Sequence, residues 1–195
     1  MSQIKYLDLV GLTAYDKMIK EWFKSGVVDI ADEAIQALFV TVAEGPADNE
    51  IWYTSTDGNI INVVVDFETD LSASGISIIS NNYSNGFGVI TFSDTLTFIG
   101  DSAFKHRETL SSITLPESIT NIGNGSFMEC SSLTSFVIPR NVTKVGFSAF
   151  RDCPSLNDIK FEGSMTEWEM VTKGMYLNRN TPATYVQCTD GQVAL

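Results

Sequence analysis

The sequence predicts an α+β chain built around a short solenoid with a parallel β ladder. Two observations carry that expectation. The first is a repeat: Ile99-Gly100 returns as Ile122-Gly123 and as Val145-Gly146, at a constant step of 23 residues. Phe104, Phe127 and Phe150 keep the same step. So do Leu110, Leu133 and Leu156, and so do Ile113, Phe136 and Ile159. Leu115, Ile138 and Phe161 follow in phase, with Phe92 one step earlier. A period in the twenties marks stacked units, none of which buries its apolar face alone. The second is alternation inside each unit. Ile113 and Leu115 point in while Ser112 and Thr114 point out, the period of a short strand.

Composition agrees with a packed chain. Of 195 residues, 44% are hydrophobic and 18% charged, enough for a core and unlike a disordered sequence. The formal net charge is −12, and it is uneven. Residues 1–86 hold 13 acids and 4 bases, while residues 87–195 hold 11 and 8. Such a chain is repelled by phosphate backbones and anionic lipid, which argues against nucleic acid and membrane-surface partners. No apolar run approaches the roughly 18 residues of a spanning helix, so no membrane insertion is expected. The opening Met1–Asp8 lacks a basic stretch followed by an apolar one, so no secretory signal is visible. Three cysteines, Cys130, Cys153 and Cys188, are an odd number and no disulfide framework.

Taken in order, residues 1–48 read as a helical segment. Leu12, Tyr15, Ile19, Trp22 and Phe23 fall on one face of a 3.6-residue period, with Ser25-Gly26 as a stop. Asp29 then caps a second helix bearing Ile30, Ala34, Leu38 and Phe39, broken by Glu44-Gly45-Pro46. Residues 49–86 read as hairpins that cap the solenoid. Glu50–Thr54 and Asn59–Val65 flank Asp57-Gly58, and Ile76–Ser80 leads through Asn85-Gly86 into Phe87–Phe92. Residues 87–162 are the repeats, with four strands near Val89, Ser112, Ser135 and Asp158 stacked in one parallel ladder. Pro116 ends its strand, having no N–H to give the ladder, and Pro139 holds the same place one unit on, with no successor at Glu162. Gly123 is expected to take a tight bend. Residues 163–195 form a cap, in which Thr166-x-x-Glu169 opens a helix bearing Trp168 and Val171. Ala183–Cys188 follows as a strand ended by Thr189-Asp190-Gly191.

Leu110-x-x-Ile113-x-Leu115 fits the first half of the leucine-rich repeat pattern. The second half departs from it: position 118 is Ser, and the next core residue, Ile119, comes one place early. Proline after the strand, Ile-Gly, Ala103-Phe104, Ala149-Phe150, and Cys130 and Cys153 three places before leucine together resemble the BspA-type subclass. The closing Phe161-Glu162-Gly163-Ser164 and Cys188-Thr189-Asp190-Gly191 are similar to cap segments of that family. The resemblance covers about residues 87–191. It implies a right-handed solenoid used for adhesion or protein recognition, as in surface proteins of gut bacteria such as Bacteroides, and it brings no catalytic residues. Cell-surface or extracellular display is therefore expected. The opening Lys5–Leu12 is also similar to the start of phage or prophage structural proteins, which implies virion association as an alternative.

The residues offer little chemistry for an enzyme. His106 is the single histidine, with no G-x-S-x-G elbow, and its slot reads as variable surface. Cys130 and Cys153 lie one repeat apart, within disulfide reach, but read first as small buried hydrophobes. No Cys-x-x-Cys pair points to zinc. Asp66, Glu68 and Asp70 share a face if extended, but lack the glycine and distal glutamate of a calcium loop. No metal, cofactor or reaction is expected. The candidate binding face is the outward row of the strands: Val89, Thr91, Ser112, Thr114, Ser135, Val137, Asp158 and Lys160. Its small hydroxyl side chains suit a flat protein or glycan partner. The aromatic stripe Leu12–Phe23 is a candidate for oligomerisation or particle attachment.

Overall fold

The computed structural model describes residues 45–195, and the elements below lie in one unit, Pro46–Leu195. The two helices expected within residues 1–48, including the Leu12–Phe23 stripe, lie outside the described residues. In chain order the elements are β1 (Glu50–Ser55), α1 (Val65–Ala73), β2 (Ile78–Ser84), β3 (Phe87–Phe92), β4 (Phe98–Ile99), β5 (Leu110–Thr114) and β6 (Asn121–Ile122). β7 (Ser135–Ile138), β8 (Lys144–Val145), β9 (Asp158–Phe161), α2 (Met165–Met170), β10 (Thr172–Lys173), β11 (Tyr185–Cys188) and β12 (Gly191–Ala194) follow.

Each solenoid turn has three sides. One is a strand of four or five residues, and β7, β9 and β11 stack in parallel with Ser135 beside Asp158 and Val137 beside Lys160. The second is a two-residue strand, and β4, β6, β8 and β10 form their own parallel sheet. The third is a backbone ladder without strands. There the N–H groups of Phe104, Phe127 and Phe150 donate to the carbonyls of Ser126, Ala149 and Leu177 at 2.7–2.9 Å. This side bends twice per turn through the left-handed region, at Ser102, Gly125, Ser148 and Tyr176, and again at His106, Glu129, Asp152 and Asn180.

The core is a set of columns along the stack. The rings of Phe104 and Phe127 lie 5.4 Å apart and 2° from parallel, and those of Phe127 and Phe150 lie 5.7 Å and 11° apart. Phe136 wedges against Phe127 and Phe150 at 4.8 and 4.6 Å. All four are buried, each worth about 1.5–3 kcal/mol of transfer free energy.

The glycine column does something the sequence reading did not anticipate. Gly123 and Gly146 do not occupy the left-handed region, so a tight bend is not why they are glycine. They are glycine because one turn rests directly on the next. A Cβ at Gly123 would lie 2.6 Å from the Asp101 nitrogen and the Gly100 carbonyl carbon. At Gly146 it would lie 2.5 Å from the Asn124 nitrogen and the Gly123 carbonyl carbon.

Both ends of the stack differ from expectation. Neither the strand near Val89 nor the strand near Ser112 joins the parallel sheet of β7, β9 and β11. β3 pairs antiparallel with both β2 and β1, and β1 inserts between β3 and β5, also antiparallel. Only the Asn85-Gly86 hairpin forms as read, with both residues at positive φ, as a two-residue turn of that kind needs. The Asp57-Gly58 hairpin does not form. Residues 59–64 run without strand pairing, with Ile61 and Val63 buried, and lead into α1. Asp66, Glu68 and Asp70 therefore belong to a helix and not to an extended segment. Phe67 of α1 covers the first glycine: a Cβ at Gly100 would lie 2.4 Å from the Phe67 ring.

At the other end the chain completes a further turn after Phe161. β10 extends the short sheet, Gly174 continues the glycine column, and β11 extends the long-strand sheet. The step lengthens because α2 is spliced in. Its capping box is Ser164-x-x-Glu167, two residues before the one expected. The Glu167 N–H donates to Ser164 Oγ at 3.2 Å and the Ser164 N–H to Glu167 Oε2 at 2.7 Å. Trp168 is buried against Phe161, and β12 folds back antiparallel on β11 to finish the sheet.

Gly146→Ala should lower unfolding free energy by about 1–3 kcal/mol, because backbone rather than a flexible side chain must move. Gly58→Ala, with nothing within 4 Å, serves as the strain-only comparison; urea midpoints measure both.

Candidate functional site

The outward face of the long strands is assembled by register. In β7 and β9 Phe136, Ile138, Ile159 and Phe161 are buried, which turns Ser135, Val137, Asp158 and Lys160 to the other side. In β5, Ile113 is buried, while Ser112 is half-buried and Thr114 exposed. β5 adjoins β7 through a Thr134 N–H to Ser111 carbonyl bond of 3.3 Å. Six of the predicted residues thus lie together on three neighbouring strands. Val89 and Thr91 do not join them directly, because β1 stands between.

That insertion places residues on the face which sequence reasoning missed. Trp52 lies between Val89 and Thr114. Its ring meets Phe87 edge-on at 5.5 Å, and its Nε1–H donates to Glu50 Oε2 at 2.9 Å. Thr54 Oγ1 hydrogen-bonds the hydroxyls of Ser111 and Ser112 at 2.8 and 2.6 Å. All four of Ile51, Trp52, Tyr53 and Thr54 are buried, so β1 fills the space beside β5 and adds little open surface there. The further turn adds Tyr185 and Gln187, the latter beside Lys160. Charge on the face is low: Lys160 Nζ pairs with Asp158 Oδ2 at 3.2 Å, two residues away on the same strand. The result is a hydroxyl-bearing surface on which Asp158 and Lys160 pair with each other, suited to noncovalent contact.

The other candidates resolve into structural roles. His106 Nδ1 sits 2.8 Å from Glu129 Oε2 on the ladder side, with the imidazole about half exposed. Cys130 and Cys153 are free and buried, and each Sγ–H donates to a carbonyl of the preceding turn, Phe104 and Phe127, at 3.1 Å. Burial raises the Cys130 thiol, and lifts Cys153 to about 11, so neither is a thiolate near neutrality. Among the described residues no group of three or more His, Cys, Asp and Glu side chains could hold a metal ion. A groove of about 220 Å³ runs over Gly100, Gly123 and Gly146. Two of the polar side chains along it, Asp101 and Asn124, are committed to contacts between successive turns. Asp101 accepts from the Asn124 N–H and Nδ2 at 2.7 and 2.9 Å, and Asn124 Oδ1 accepts from the Phe147 N–H at 2.9 Å. No described helix is long and apolar enough to cross a membrane.

Comparison with known families places this architecture. The family described as the BspA type Leucine rich repeat region matches in six copies over residues 68–172, more than half of the chain. The chain belongs to that leucine-rich repeat family. No curated protein and no solved structure matches it, and the similarity of Lys5–Leu12 to phage proteins finds no support.

Two predictions come from the polar groups. Ser126 Oγ is buried without a hydrogen-bond partner, and its equivalents one turn away on either side are Ala103 and Ala149. Ser126→Ala should therefore be neutral or stabilising by up to about 1 kcal/mol in urea unfolding. The second concerns pH. Lost hydration, then the hydrogen bond and charge of Glu117, push the Glu162 carboxyl up to about 7. Between its ordinary value and 7 the folded chain holds the extra proton, so stability falls as pH rises through that window. Glu167 works the other way. The Ser164 N–H first, then the Arg140 guanidinium, draw it down to about 2, so its contribution is lost as pH falls toward 2. Glu162→Gln should flatten the thermal midpoint between pH 4.5 and 7, and Glu167→Gln the acid limb.

Proposed function

We propose that this protein is a non-enzymatic recognition module, displayed at a cell surface, whose outward strand face meets a protein or glycan partner. The observation behind this reading is the face itself. Ser135 and Val137 stand in register with Asp158 and Lys160, and Ser112 and Thr114 lie on the neighbouring strand β5, in a repeat whose family mediates interaction. Each inward neighbour is committed to the core, so these outward positions are free to vary without unfolding the stack. Small hydroxyls over low net charge give a surface that accepts a flat partner by many weak contacts. The sign of the whole chain, −12, disfavours polyanions as that partner on this face.

Thr114→Arg and Ser135→Glu test the face, since both positions keep a polar side chain at the surface. The intact chain is applied to a glycan array and to an array of extracellular proteins, and each variant is compared on every spot bound. Loss of roughly tenfold or more in affinity with an unchanged melting temperature is expected. Equal binding by both variants removes the assignment. Display is tested separately, by protease shaving of intact producing cells followed by detection of the chain.

A further inference from the structure

The chain contains two Asn-Gly sequences, Asn85-Gly86 and Asn124-Gly125. Such a pair carries a reactivity of its own. The backbone nitrogen of the second residue attacks the side-chain amide of the first, and glycine leaves that nitrogen unshielded because it has no Cβ. The two pairs read alike in sequence, and the fold treats them in opposite ways.

At Asn124 both reacting groups are engaged by the turns before and after. Its Nδ2 donates to Asp101 Oδ2 at 2.9 Å, and its Oδ1 accepts from the Phe147 N–H at 2.9 Å. The attacking group is held as well, since the Gly125 N–H donates to the Phe147 carbonyl at 2.8 Å. Asn85 has no such restraint. It is exposed at the tip of the β2–β3 hairpin, at φ +52°, followed by Gly86 at φ +83°. Its side chain makes no hydrogen bond among the described residues. The Gly86 N–H lies between the paired residues Ser84 and Phe87 and has no backbone partner among the described residues. The space around it is open: nothing lies within 4 Å of where Gly86 would carry a Cβ.

We propose that Asn85 is a site of spontaneous deamidation, the Asn-Gly pair that the folded protein leaves reactive while it protects the other. The Gly86 nitrogen bonds to Asn85 Cγ, the Cγ–Nδ2 bond breaks, and the amide leaves as ammonia with the Gly86 proton. Water then opens the cyclic imide. Opening at Cγ leaves aspartate. Opening at the Asn85 backbone carbonyl leaves isoaspartate, with the chain running through the side chain. Nothing is oxidised or reduced. Either product adds a negative charge within Leu71–Ser93, a span without a charged residue, at the end of the edge strand β2. A charge there opposes pairing of that edge with another strand. Isoaspartate also lengthens the backbone of a two-residue turn that depends on positive φ at both positions.

The test incubates the full chain at mildly alkaline pH, folded and, in parallel, in urea. Peptides from each time point are mapped by mass, and isoaspartate is counted with an isoaspartyl methyltransferase. In the folded protein Asn85 should convert at least about tenfold faster than Asn124, because three hydrogen bonds must open before Asn124 reacts. In urea the two rates should converge. Asn85→Gln should remove the product seen in the folded protein. Equal rates in the folded protein, a faster Asn124, or an Asn85 that stays intact while the unfolded chain converts overturns the proposal. So does a difference that persists in urea, since the selectivity then comes from the flanking residues and not from the fold.

Discussion

The separation of successive turns at the glycine column is the constraint on which the rest depends. Where Gly123 lies on Gly100, and Gly146 on Gly123, the backbones touch, and no side chain fits between them. That contact sets the spacing for every other column. At that spacing phenylalanine rings stack face to face, and a cysteine thiol reaches the carbonyl of the turn before. The ladder-side backbone closes its hydrogen bonds from one turn to the next. The repeat is therefore a set of side-chain choices compatible with one axial rise. A change at the glycine column is felt by all columns, whereas a change on the outward strand face is felt by none.

The division of labour around each turn follows from this. The two-residue strands and the glycines carry the closest backbone approach, and the polar residues beside them are consumed as caps. The long strands are looser: they need alternate apolar residues only, which leaves their other side open. The ladder side is bound by its backbone and by two left-handed corners per turn. The first of those corners holds Ser102, Gly125 and Ser148 in successive turns, so Tyr176 is the exception that costs stability there.

The sequence revealed what repeats and hid what does not. The phase of Phe104, Phe127 and Phe150 made the columns legible, and the alternation at Ile113 and Leu115 made the outward face legible. Both are local patterns copied several times. The insertion of β1 between β3 and β5 was not legible, because Phe92 keeps the 23-residue phase of a repeat strand. Nothing in the phase states which neighbour that strand will choose, and pairing of Trp52 with Thr114 is a contact across more than sixty residues. The Asp57-Gly58 signal was misleading for a related reason: Ile61 and Val63 are buried without strand pairing, which outweighs a local turn preference. The turn after Phe161 was hidden by α2, whose added residues break the period that made the others visible.

Reversal of strand direction at both ends of the row of long strands, which divides into two sheets, has a consequence for assembly. A parallel stack is open to growth, since its last turn offers the next chain the same edge that the turn before offered to it. Here β1 presents β5 with an antiparallel partner, and β12 does the same for β11. Neither terminus reproduces the hydrogen-bond pattern of the interior, so a second molecule cannot continue that sheet as one more identical turn. Among the described residues, the antiparallel partners of β5 and β11 thus disfavour fibre growth by repetition of the parallel strand.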